Sequence, residues 1–356
     1  MLHSSARPPG SVLGGASRGL QPDAPPGRTR VDDVAFAVTD DGWRLAMHHF
    51  RPSGRAQRRH AVILCHGLGA NHIAFDLDVE ISLARHLAHL GYAVFALDLR
   101  GHGMSDRPTF FGVKRYGWSF DDYLLRDVPA AIAHAARLSN RSQVHWIGHS
   151  MGGLLLYAHL ARGRSEDIRS GITVGSSLDY SRSRSGFKAV APLRAVLDYL
   201  PAVPMGLVAW LCGAVAGRVR TPFETFNIWS SNVDPRLWAR LCQSAFHTVS
   251  APVLMQLATA MDPGGLLSLD GSMRYAQELA QIRAPMLSLA GDMDRQCPPD
   301  AARETLDALG STRRELRVFG PDHGHADHYG HFDLLMGRRV KEEVFPCIAT
   351  WLEDHD

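Results

Sequence analysis

Residues 144–157, with the sequence VHWIGHSMGGLLLY, decide the fold of this chain. An apolar run leads into Gly148 and helix formers follow Gly152, which predicts a strand, a sharp turn and a helix. Such a tight turn crowds its neighbours, so only very small residues fit two positions before and two after the central Ser150. Glycine occupies both positions. The stretch therefore predicts a nucleophile elbow that holds the Ser150 hydroxyl clear of the backbone.

The length and charge of the chain restrict its class. Its 356 residues could form two average domains or one large α/β domain with an insertion. The formal net charge is +2 and 21% of the residues are charged, without a basic run interleaved with aromatic side chains. This composition gives no reason to expect a nucleic-acid partner.

The cysteines and the N-terminal residues bear on the cellular compartment. The five cysteines are scattered, odd in number and without C-x-x-C spacing, which indicates free thiols and neither a disulfide framework nor a zinc site. Residues 1–30 are rich in Pro, Gly, Ser and Arg and contain no continuous apolar segment of the kind that a signal peptide has. We therefore expect a disordered tail at residues 1–30 and a cytoplasmic enzyme.

From residue 34 the sequence alternates between strand and helix patterns. Residues 34–38 and 44–50 predict a β-hairpin with its turn at residues 40–42. Short apolar runs typical of strands buried on both faces follow at 61–65, 92–97, 144–147, 171–174, 286–290 and 316–319. Helical patterns lie between or after them at 81–90, 120–138, 151–162, 301–309 and 334–351. These repeated βα units predict a mostly parallel central sheet with helices on both faces.

The alternation breaks between residues 177 and 267, which offer helical patterns alone. We therefore predict a core of residues 31–176 and 268–356 and a helical cap insertion of residues 177–267. The cap would cover the C-terminal edge of the sheet, where open α/β sheets bind ligands.

Within the insertion, residues 201–217 are apolar throughout and allow three interpretations. They could span a membrane, dip into a membrane surface, or form a helix in the cap core that lines an acyl pocket. The span is shorter than the roughly 20 residues needed to cross a bilayer and contains prolines and glycines, which favours the third interpretation.

The Ser150 hydroxyl is a poor nucleophile unless a base accepts its proton and an acid orients that base. Asp292 and Asp294 follow the predicted strand that ends at residue 290, in a loop at the C-terminal edge of the sheet. We prefer Asp294, because the intervening residues let the chain turn back over the sheet. The alternative is that the aspartate caps the helix that opens near residue 298.

The base is expected in the loop after the next strand, at residues 320–333, where four histidines compete. His331 is preferred because it directly precedes the last helix pattern, and His328 and His325 are the reserves. A metal site formed by these histidines with Asp322, Asp327 and Asp333 is the rival interpretation, although their spacing matches no ligand motif. We therefore predict no metal site.

Acyl transfer also requires donors for the developing oxyanion. The Met151 and Leu68 backbone N–H groups are the candidates, because Leu68 lies in the glycine-bearing loop after the strand at 61–65. His66, in the same loop, is interpreted as a bracing residue rather than a base. We expect four residues to line the substrate site, namely His66, Gly67, His149 and Trp210.

The loop at residues 98–106 follows the strand at 92–97 and contains two glycines that suit a tight turn. We interpret this loop as structural, with Arg100 braced by Asp98 or Asp106.

With these motifs in this order, the chain resembles the α/β-hydrolases from about residue 34 onward. Residues 118–130 and 329–333 are similar to the acid lipase branch, which places its catalytic histidine before Leu or Phe and Asp, and this supports His331. The loop at 98–106 looks instead like the lysophospholipase and esterase form. Because acid lipases carry a signal peptide and disulfides, the resemblance does not imply triglyceride specificity.

The resemblance implies an α/β-hydrolase fold and a serine hydrolase that cleaves esters with hydrophobic acyl or alkyl groups through an acyl-enzyme. An acyltransferase or thioesterase with the same triad is the alternative, and a non-catalytic binding protein is the third class. We expect no cofactor. The expected partner is a small hydrophobic ester, and contact of the cap with a membrane surface is an open prediction.

Overall fold

The computed structural model describes residues 31–54, 57–109 and 112–356. The predicted disordered tail at residues 1–30 lies outside the described residues. The main sheet has eight strands in the order β1-β2-β4-β3-β5-β6-β9-β10, and a two-stranded sheet pairs β7 with β8. In chain order, the strands are β1 (Asp33–Val38), β2 (Arg44–Phe50), β3 (Val62–Cys65), β4 (Val94–Leu97), β5 (Val144–His149), β6 (Ile168–Val174), β7 (Ala202–Val203), β8 (Val249–Ser250), β9 (Met286–Gly291) and β10 (Arg314–Phe319).

In the main sheet, β2 pairs antiparallel with β1 and β4, and all other pairs are parallel. The predicted hairpin and the predicted mostly parallel sheet are therefore confirmed. The hairpin turn needs Gly42, whose φ of +83° is a conformation that side chains disfavour.

Helices cover both faces of this sheet. They are α1 (Leu83–His89), α2 (Phe120–Asp122), α3 (Val128–Ser139), α4 (Met151–Ala161), α5 (Arg194–Leu197), α6 (Met205–Ala214), α7 (Pro222–Asn227), α8 (Pro235–Ser244), α9 (Ala251–Ala258), α10 (Pro299–Asp307), α11 (Asp333–Met336), α12 (Val340–Glu343) and α13 (Phe345–His355). Short 3-10 helices lie at His72–Phe75, Ser165–Asp167, Gly186–Leu193, Thr259–Met261, Tyr275–Gln281 and Pro321–His323.

The sheet separates two apolar layers. Along β5, Trp146 belongs to the layer that contains α3 and α4, and its neighbour Ile147 belongs to the layer that contains α1 and α13. Alternate side chains of a strand point to opposite faces, so a strand covered on both sides needs a continuous apolar run. This requirement explains why continuous apolar runs in the sequence predicted these strands.

Two predicted helices differ in detail from the structure. The pattern over residues 120–138 is confirmed as helical, but the π-helical turn Tyr123–Asp127 joins α2 to α3. The single helix predicted over residues 334–351 is wrong, because this segment forms α11, α12 and α13. Gly337 is extended (φ −62°, ψ 155°) and ends α11, and Pro346 occupies the first turn of α13, where a missing N–H costs nothing.

Between β6 and β9, residues 175–285 lie outside the main sheet, and they include the predicted insertion, residues 177–267. This insertion contains α5 to α9 and also the β7–β8 pair, which the sequence did not predict. Each of these strands has two residues, too few to show alternation. Within the apolar span at residues 201–217, α6 has ten residues, and among the described residues no helix is long and apolar enough to cross a membrane.

Candidate active site

The elbow at Ser150 joins β5 to α4 in a strained conformation. Ser150 has φ +52° and ψ −120°, an unusual conformation for a residue with a side chain. A Cβ on Gly148 would lie 2.2 Å from the Gly152 carbonyl oxygen, and a Cβ on Gly152 would lie 2.2 Å from the Cys65 carbonyl oxygen. The two glycines therefore allow the backbone contacts that the turn requires.

Hydrogen bonds fix the elbow to the end of β6. The Ser150 N–H donates to the Val174 carbonyl at 2.8 Å, and the Ser176 hydroxyl donates to the Ser150 carbonyl at 2.8 Å. Ser150 itself is half-buried. The strained turn is thus held by the neighbouring strand.

A buried ion-pair geometry joins the loops that follow β9 and β10. His331 Nδ1 lies 2.7 Å from Asp294 Oδ2, and both side chains are buried. Asp294 Oδ1 accepts the backbone N–H groups of Gln296 and Cys297 at 2.8 and 2.9 Å. An Nδ1–H donated to Asp294 leaves Nε2 as the unprotonated nitrogen, and Nε2 has no hydrogen-bond partner among the described residues.

Gly175 lies between this pair and the elbow. It follows Val174, which binds the Ser150 N–H, and a Cβ on it would lie 2.9 Å from both His331 Nδ1 and Asp294 Oδ2. The end of β6 therefore brings Ser150, His331 and Asp294 to one place at the C-terminal edge of the sheet.

His149 supports His331 from the elbow side. Its ring centroid lies 4.6 Å from that of His331, and its Nε2–H donates to the His331 carbonyl at 3.2 Å. Burial holds the pKa of His149 well below its ordinary value, so the ring is neutral. His149 is fully buried and holds the loop that carries His331.

Asp292 and His328, the alternative candidates for the acid and the base, form a second hydrogen-bonded pair. His328 Nδ1 binds Asp292 Oδ2, and Asp292 Oδ1 also accepts the Tyr329 N–H at 2.9 Å. The His328 side chain is 43% exposed, whereas that of His331 is 1% exposed. His325 packs its ring on Phe319 at 4.7 Å between centroids. The two aspartates of the loop after β9 thus bind different histidines.

The glycine loop after β3 approaches the elbow directly. A Cβ on Gly67 would lie 2.9 Å from the Ser150 Cβ. His66 is fully buried, its Nδ1–H donates to the Gly67 carbonyl at 2.8 Å, and its Nε2 accepts the Leu99 N–H at 3.1 Å. Met151 is the first residue of α4 and is buried, and Leu68 is half-buried.

The predicted ion-pair partners of Arg100, Asp98 and Asp106, are wrong. Arg100 is buried and binds Asp127 and Asp41, and neither Asp98 nor Asp106 pairs with it. Asp127 is the last residue of the π-helical turn before α3, and Asp41 lies in the β1–β2 turn, so local spacing could not reveal either contact. Asp98 instead binds His48 and His72, and Asp106 binds Lys114 and Arg44.

The insertion contributes contacts that sequence reasoning missed. The buried Asp333 carboxylate accepts the Trp229 N–H at 2.9 Å and the Gly330 N–H at 3.1 Å, and the Phe332 N–H donates to the Asn227 carbonyl at 2.9 Å. These bonds brace the loop of His331 from both sides. Asp333 directly follows the Gly-His-Phe run, but its partner Trp229 is 104 residues away in the sequence. No local sequence pattern could therefore predict this contact.

Trp210, expected to line the substrate site, lies on α6 with 52% of its surface exposed. At the start of the same helix, Met205 reaches the glycine loop: a Cβ on Gly69 would lie 3.4 Å from Met205 Cε and 3.1 Å from Val249 Cγ2. Apolar side chains of the insertion thus lie against the loop that contains Leu68.

The chain is similar to known proteins in sequence and in fold. A family model described as serine aminopeptidase, S33, matches residues 56–326. A probable lipase of Schizosaccharomyces pombe is 26% identical over 360 residues, which cover 89% of this chain and 76% of that protein. Rat (Rattus norvegicus) monoglyceride lipase is 23% identical over 332 residues, which cover 93% and 94% of the two chains.

A solved structure shows the same fold. The monoacylglycerol lipase of Paleococcus ferrophilus aligns with a TM-score of 0.60 at 20% identity, covering 88% of this chain and 99% of that chain. The fold and the family match define an α/β-hydrolase, as the resemblance implied. The chain belongs to the serine aminopeptidase S33 family and is an esterase- and lipase-like member of this superfamily.

Proposed function

We propose that this protein is a serine hydrolase that cleaves carboxylic esters with hydrophobic acyl or alkyl groups. Ser150 is the nucleophile, His331 the general base and Asp294 the residue that orients the imidazole. The observation that carries the proposal is the buried His331–Asp294 pair at 2.7 Å, whose free Nε2 lies at the same edge of the sheet as the strained Ser150.

The proposed reaction has two halves. His331 Nε2 accepts the Ser150 proton while Oγ attacks the ester carbonyl, and the new imidazolium is stabilised by the Asp294 carboxylate. The imidazolium then protonates the leaving alkoxide, which departs as the alcohol and leaves an acyl-serine ester. Water, deprotonated by His331, attacks that ester and releases the carboxylic acid, and the proton returns to Ser150.

The oxyanion of each tetrahedral intermediate would be held by the Leu68 and Met151 backbone N–H groups. Neither N–H donates to another group within the described residues. Gly67 supports this assignment, because its close approach to the Ser150 Cβ fixes the glycine loop beside the nucleophile. Donors that need no reorganisation during the reaction stabilise charge best.

The insertion, residues 177–267, would act as the cap and form the hydrophobic pocket. Met205 and Val249 support this role through their contact with the glycine loop. We propose that Gly67 and Trp210 contact the substrate directly. His66 and His149, whose side chains are fully buried, would act by fixing the oxyanion loop and His331.

We further propose that the cap touches a lipid surface through α6. Four apolar side chains of this helix are about half exposed: Leu207 at 57%, Val208 at 47%, Trp210 at 52% and Leu211 at 54%. An apolar helix face with a tryptophan is suited to the interface between water and acyl chains. The named lipase relatives, whose substrates by name are lipids, support this proposal.

We also propose that the enzyme is cytoplasmic. All five cysteines are free thiols, and Cys65, Cys242 and Cys297 are buried. Burial raises the pKa of these thiols, so that they stay protonated and unreactive. Five unpaired thiols suit a reducing compartment.

Labelling with a fluorophosphonate probe tests the nucleophile and the base. We expect the wild-type protein to be labelled and Ser150→Ala and His331→Ala to lose labelling, whereas the matched control His328→Ala keeps it. Absence of wild-type labelling would contradict the serine mechanism. Retained labelling in His331→Ala together with loss in His328→Ala would transfer the role of base to His328.

A substrate panel tests the ester and the pocket. Nitrophenyl esters of rising chain length should be cleaved with a preference for octanoate over acetate, and amino-acid nitroanilides should react far more slowly. A preference for acetate would contradict the hydrophobic pocket. Efficient cleavage of the nitroanilides would show a peptidase of the kind that the family description names.

A further inference from the structure

Two histidines and an aspartate converge at the N-terminal edge of the sheet, opposite the elbow. His60 precedes β3, His145 is the second residue of β5, and Asp356 follows α13. One ligand atom from each of the three lies within 4.8 Å of the others. Since β5 rises by about 3.3 Å per residue, His145 lies roughly 16 Å from Ser150.

Two of the three separations are close to those between the ligands of a tetrahedral metal ion. His60 Nδ1 lies 3.1 Å and His145 Nε2 lies 3.5 Å from Asp356 Oδ1. Zinc binds imidazole nitrogen and carboxylate oxygen at about 2.0–2.2 Å, which puts neighbouring ligand atoms of a tetrahedron about 3.4 Å apart. A small shift of the side chains would therefore bring all three atoms to bonding distance.

His145 supplies a second observation that points to a ligand. The residue is fully buried, and its Nε2 completes no hydrogen bond among the described residues, although it lies 3.5 Å from Asp356 Oδ1. Its Nδ1 lies 2.8 Å from the Ser170 hydroxyl, so an Nδ1–H donated to Ser170 leaves the Nε2 lone pair directed at Asp356. Metal-bound histidines are commonly oriented by such a bond from the other ring nitrogen.

Asp356 is held in place without help from an ion. Its Oδ2 accepts the Arg59 N–H at 2.9 Å, and its Oδ1 accepts the His60 N–H at 3.0 Å. The 3.1 Å contact from His60 Nδ1 fills the second acceptor position of Oδ1. Oδ2 accepts only the Arg59 N–H among the described residues, so one of its two acceptor positions remains for a cation.

A second cluster of two histidines and an aspartate, formed by His48, His72 and Asp98, has no free acceptor position for a cation. His48 Nε2 and His72 Nδ1 lie 2.8 and 2.9 Å from different oxygens of Asp98, and the backbone N–H groups of His72 and Met104 also donate to that carboxylate. Four donors fill the acceptor positions of Asp98. With no acceptor position left for a cation, this cluster is explained as a buried hydrogen-bonded network.

We propose that His60 Nδ1, His145 Nε2 and the Asp356 carboxylate bind one Zn²⁺ ion. Water would fill the fourth position. The ion would connect the starts of β3 and β5 to the end of α13 and so fasten this helix to the sheet. Its role would be structural, because the site lies at the edge of the sheet opposite Ser150.

Calorimetric titration of the tag-free, chelator-treated full-length protein with zinc chloride tests the site. We expect one binding event, which Asp356→Asn and His60→Gln weaken at least tenfold and which Ser170→Ala weakens about tenfold. His355→Gln is the matched control, because His355 adjoins Asp356 and binds the Trp351 carbonyl instead. This control should bind zinc as the wild type does.

Two further readouts decide the result. Zinc should raise the melting temperature of the wild-type protein and leave that of Asp356→Asn unchanged, and cobalt should give the intense visible absorption of a tetrahedral complex in the wild type alone. Circular dichroism of each variant without metal confirms that it is folded. Absence of wild-type binding, or wild-type affinity in both ligand variants, would overturn the proposal.

Discussion

Gly175 leaves no room for a side chain beside His331. A Cβ at this position would lie 2.9 Å from the imidazole Nδ1 and equally close to Asp294 Oδ2, and the backbone has φ +61°. The spacing of the His331–Asp294 pair from β6 thus depends on the absence of one methyl group. Substitution at Gly175 therefore tests the geometry of the site without changing any of its chemical groups.

We predict that Gly175→Ala lowers kcat/KM about 100-fold, because a displacement near 1 Å of a catalytic group costs about this much. Gly163→Ala is the control, since Gly163 also has positive φ, at +80°, but a Cβ there meets no atom within 4 Å. Both variants carry the backbone strain, and Gly175→Ala alone crowds His331. Equal activities of the two variants in ester hydrolysis would contradict the prediction.

We predict that Asp294→Asn lowers kcat about 10⁴-fold, the size of effect seen when a triad aspartate is neutralised in another hydrolase. Asp292→Asn should stay within a few-fold of the wild type, because Asp292 binds His328 and does not orient His331. Steady-state ester hydrolysis measures both. A larger loss in Asp292→Asn would reassign the acid to Asp292.

We predict that Asp333→Ala lowers the free energy of unfolding by about 1–3 kcal/mol for each N–H it leaves unpaired, those of Trp229 and Gly330. Burial raises the pKa of Asp333 well above its ordinary value, which favours the neutral acid. The neutral isostere Asp333→Asn should therefore cost less than Asp333→Ala. Urea unfolding compares them, and equal costs would show that the hydrogen bonds contribute little.

The strands and the elbow could be predicted because local sequence patterns specify them. Buried strands need continuous apolar runs, and the crowded elbow needs Gly148 and Gly152, so both left a signal that could be interpreted without coordinates. The preference for Asp294 over Asp292 and for His331 over His328 matches the buried pair in the structure, although the catalytic role of that pair stays a proposal.

Other features depend on contacts between distant segments. Arg100 meets Asp41 and Asp127 across the fold, and Asp333 receives its donor from the insertion, so no spacing rule could predict them. The break of the last helix at Gly337 was missed because the apolar period continues through it. Short helices that pack on a sheet can keep the same buried face across such a break.

The stability of the protein should fall steeply below pH 6.5. Burial lowers the pKa of His66 to about 3, of His102 to about 4 and of His247 to about 3. His247 Nε2 accepts the Gly103 N–H at 3.1 Å and the Asn71 amide at 3.0 Å, so protonation would break both bonds.

Because the unfolded chain binds protons at these histidines near pH 6.5 and the folded protein does not, the stability they contribute is complete above pH 6.5. It is lost as the pH falls toward 4, by about 1.4 kcal/mol per pH unit for each histidine. Urea unfolding at several pH values measures the slope. His247→Gln should reduce this slope by the contribution of about one proton, whereas substitution of the exposed His323 by Gln should leave the slope unchanged. A flat profile would contradict the prediction.

We predict that Trp210→Ser with Leu211→Ser weakens partition onto phospholipid vesicles at least tenfold, because two half-exposed apolar side chains lose their burial in the interface. Leu125→Ser with Leu138→Ser is the matched control, since these side chains are 46% and 48% exposed on another part of the surface. Vesicle sedimentation measures binding. Equal vesicle binding of the two double variants would show that α6 does not make the membrane contact.

The bonds from Asn227 and Trp229 to the histidine loop limit how this enzyme can be re-engineered. Grafting a foreign cap in place of the whole insertion would also delete the donor and acceptor that position Phe332 and Asp333. A chimera designed for new substrates should therefore exchange the segment before α7 and keep the native residues from 222 to 232. We expect an exchange at that junction to alter the proposed substrate pocket and to keep the two bonds to the histidine loop.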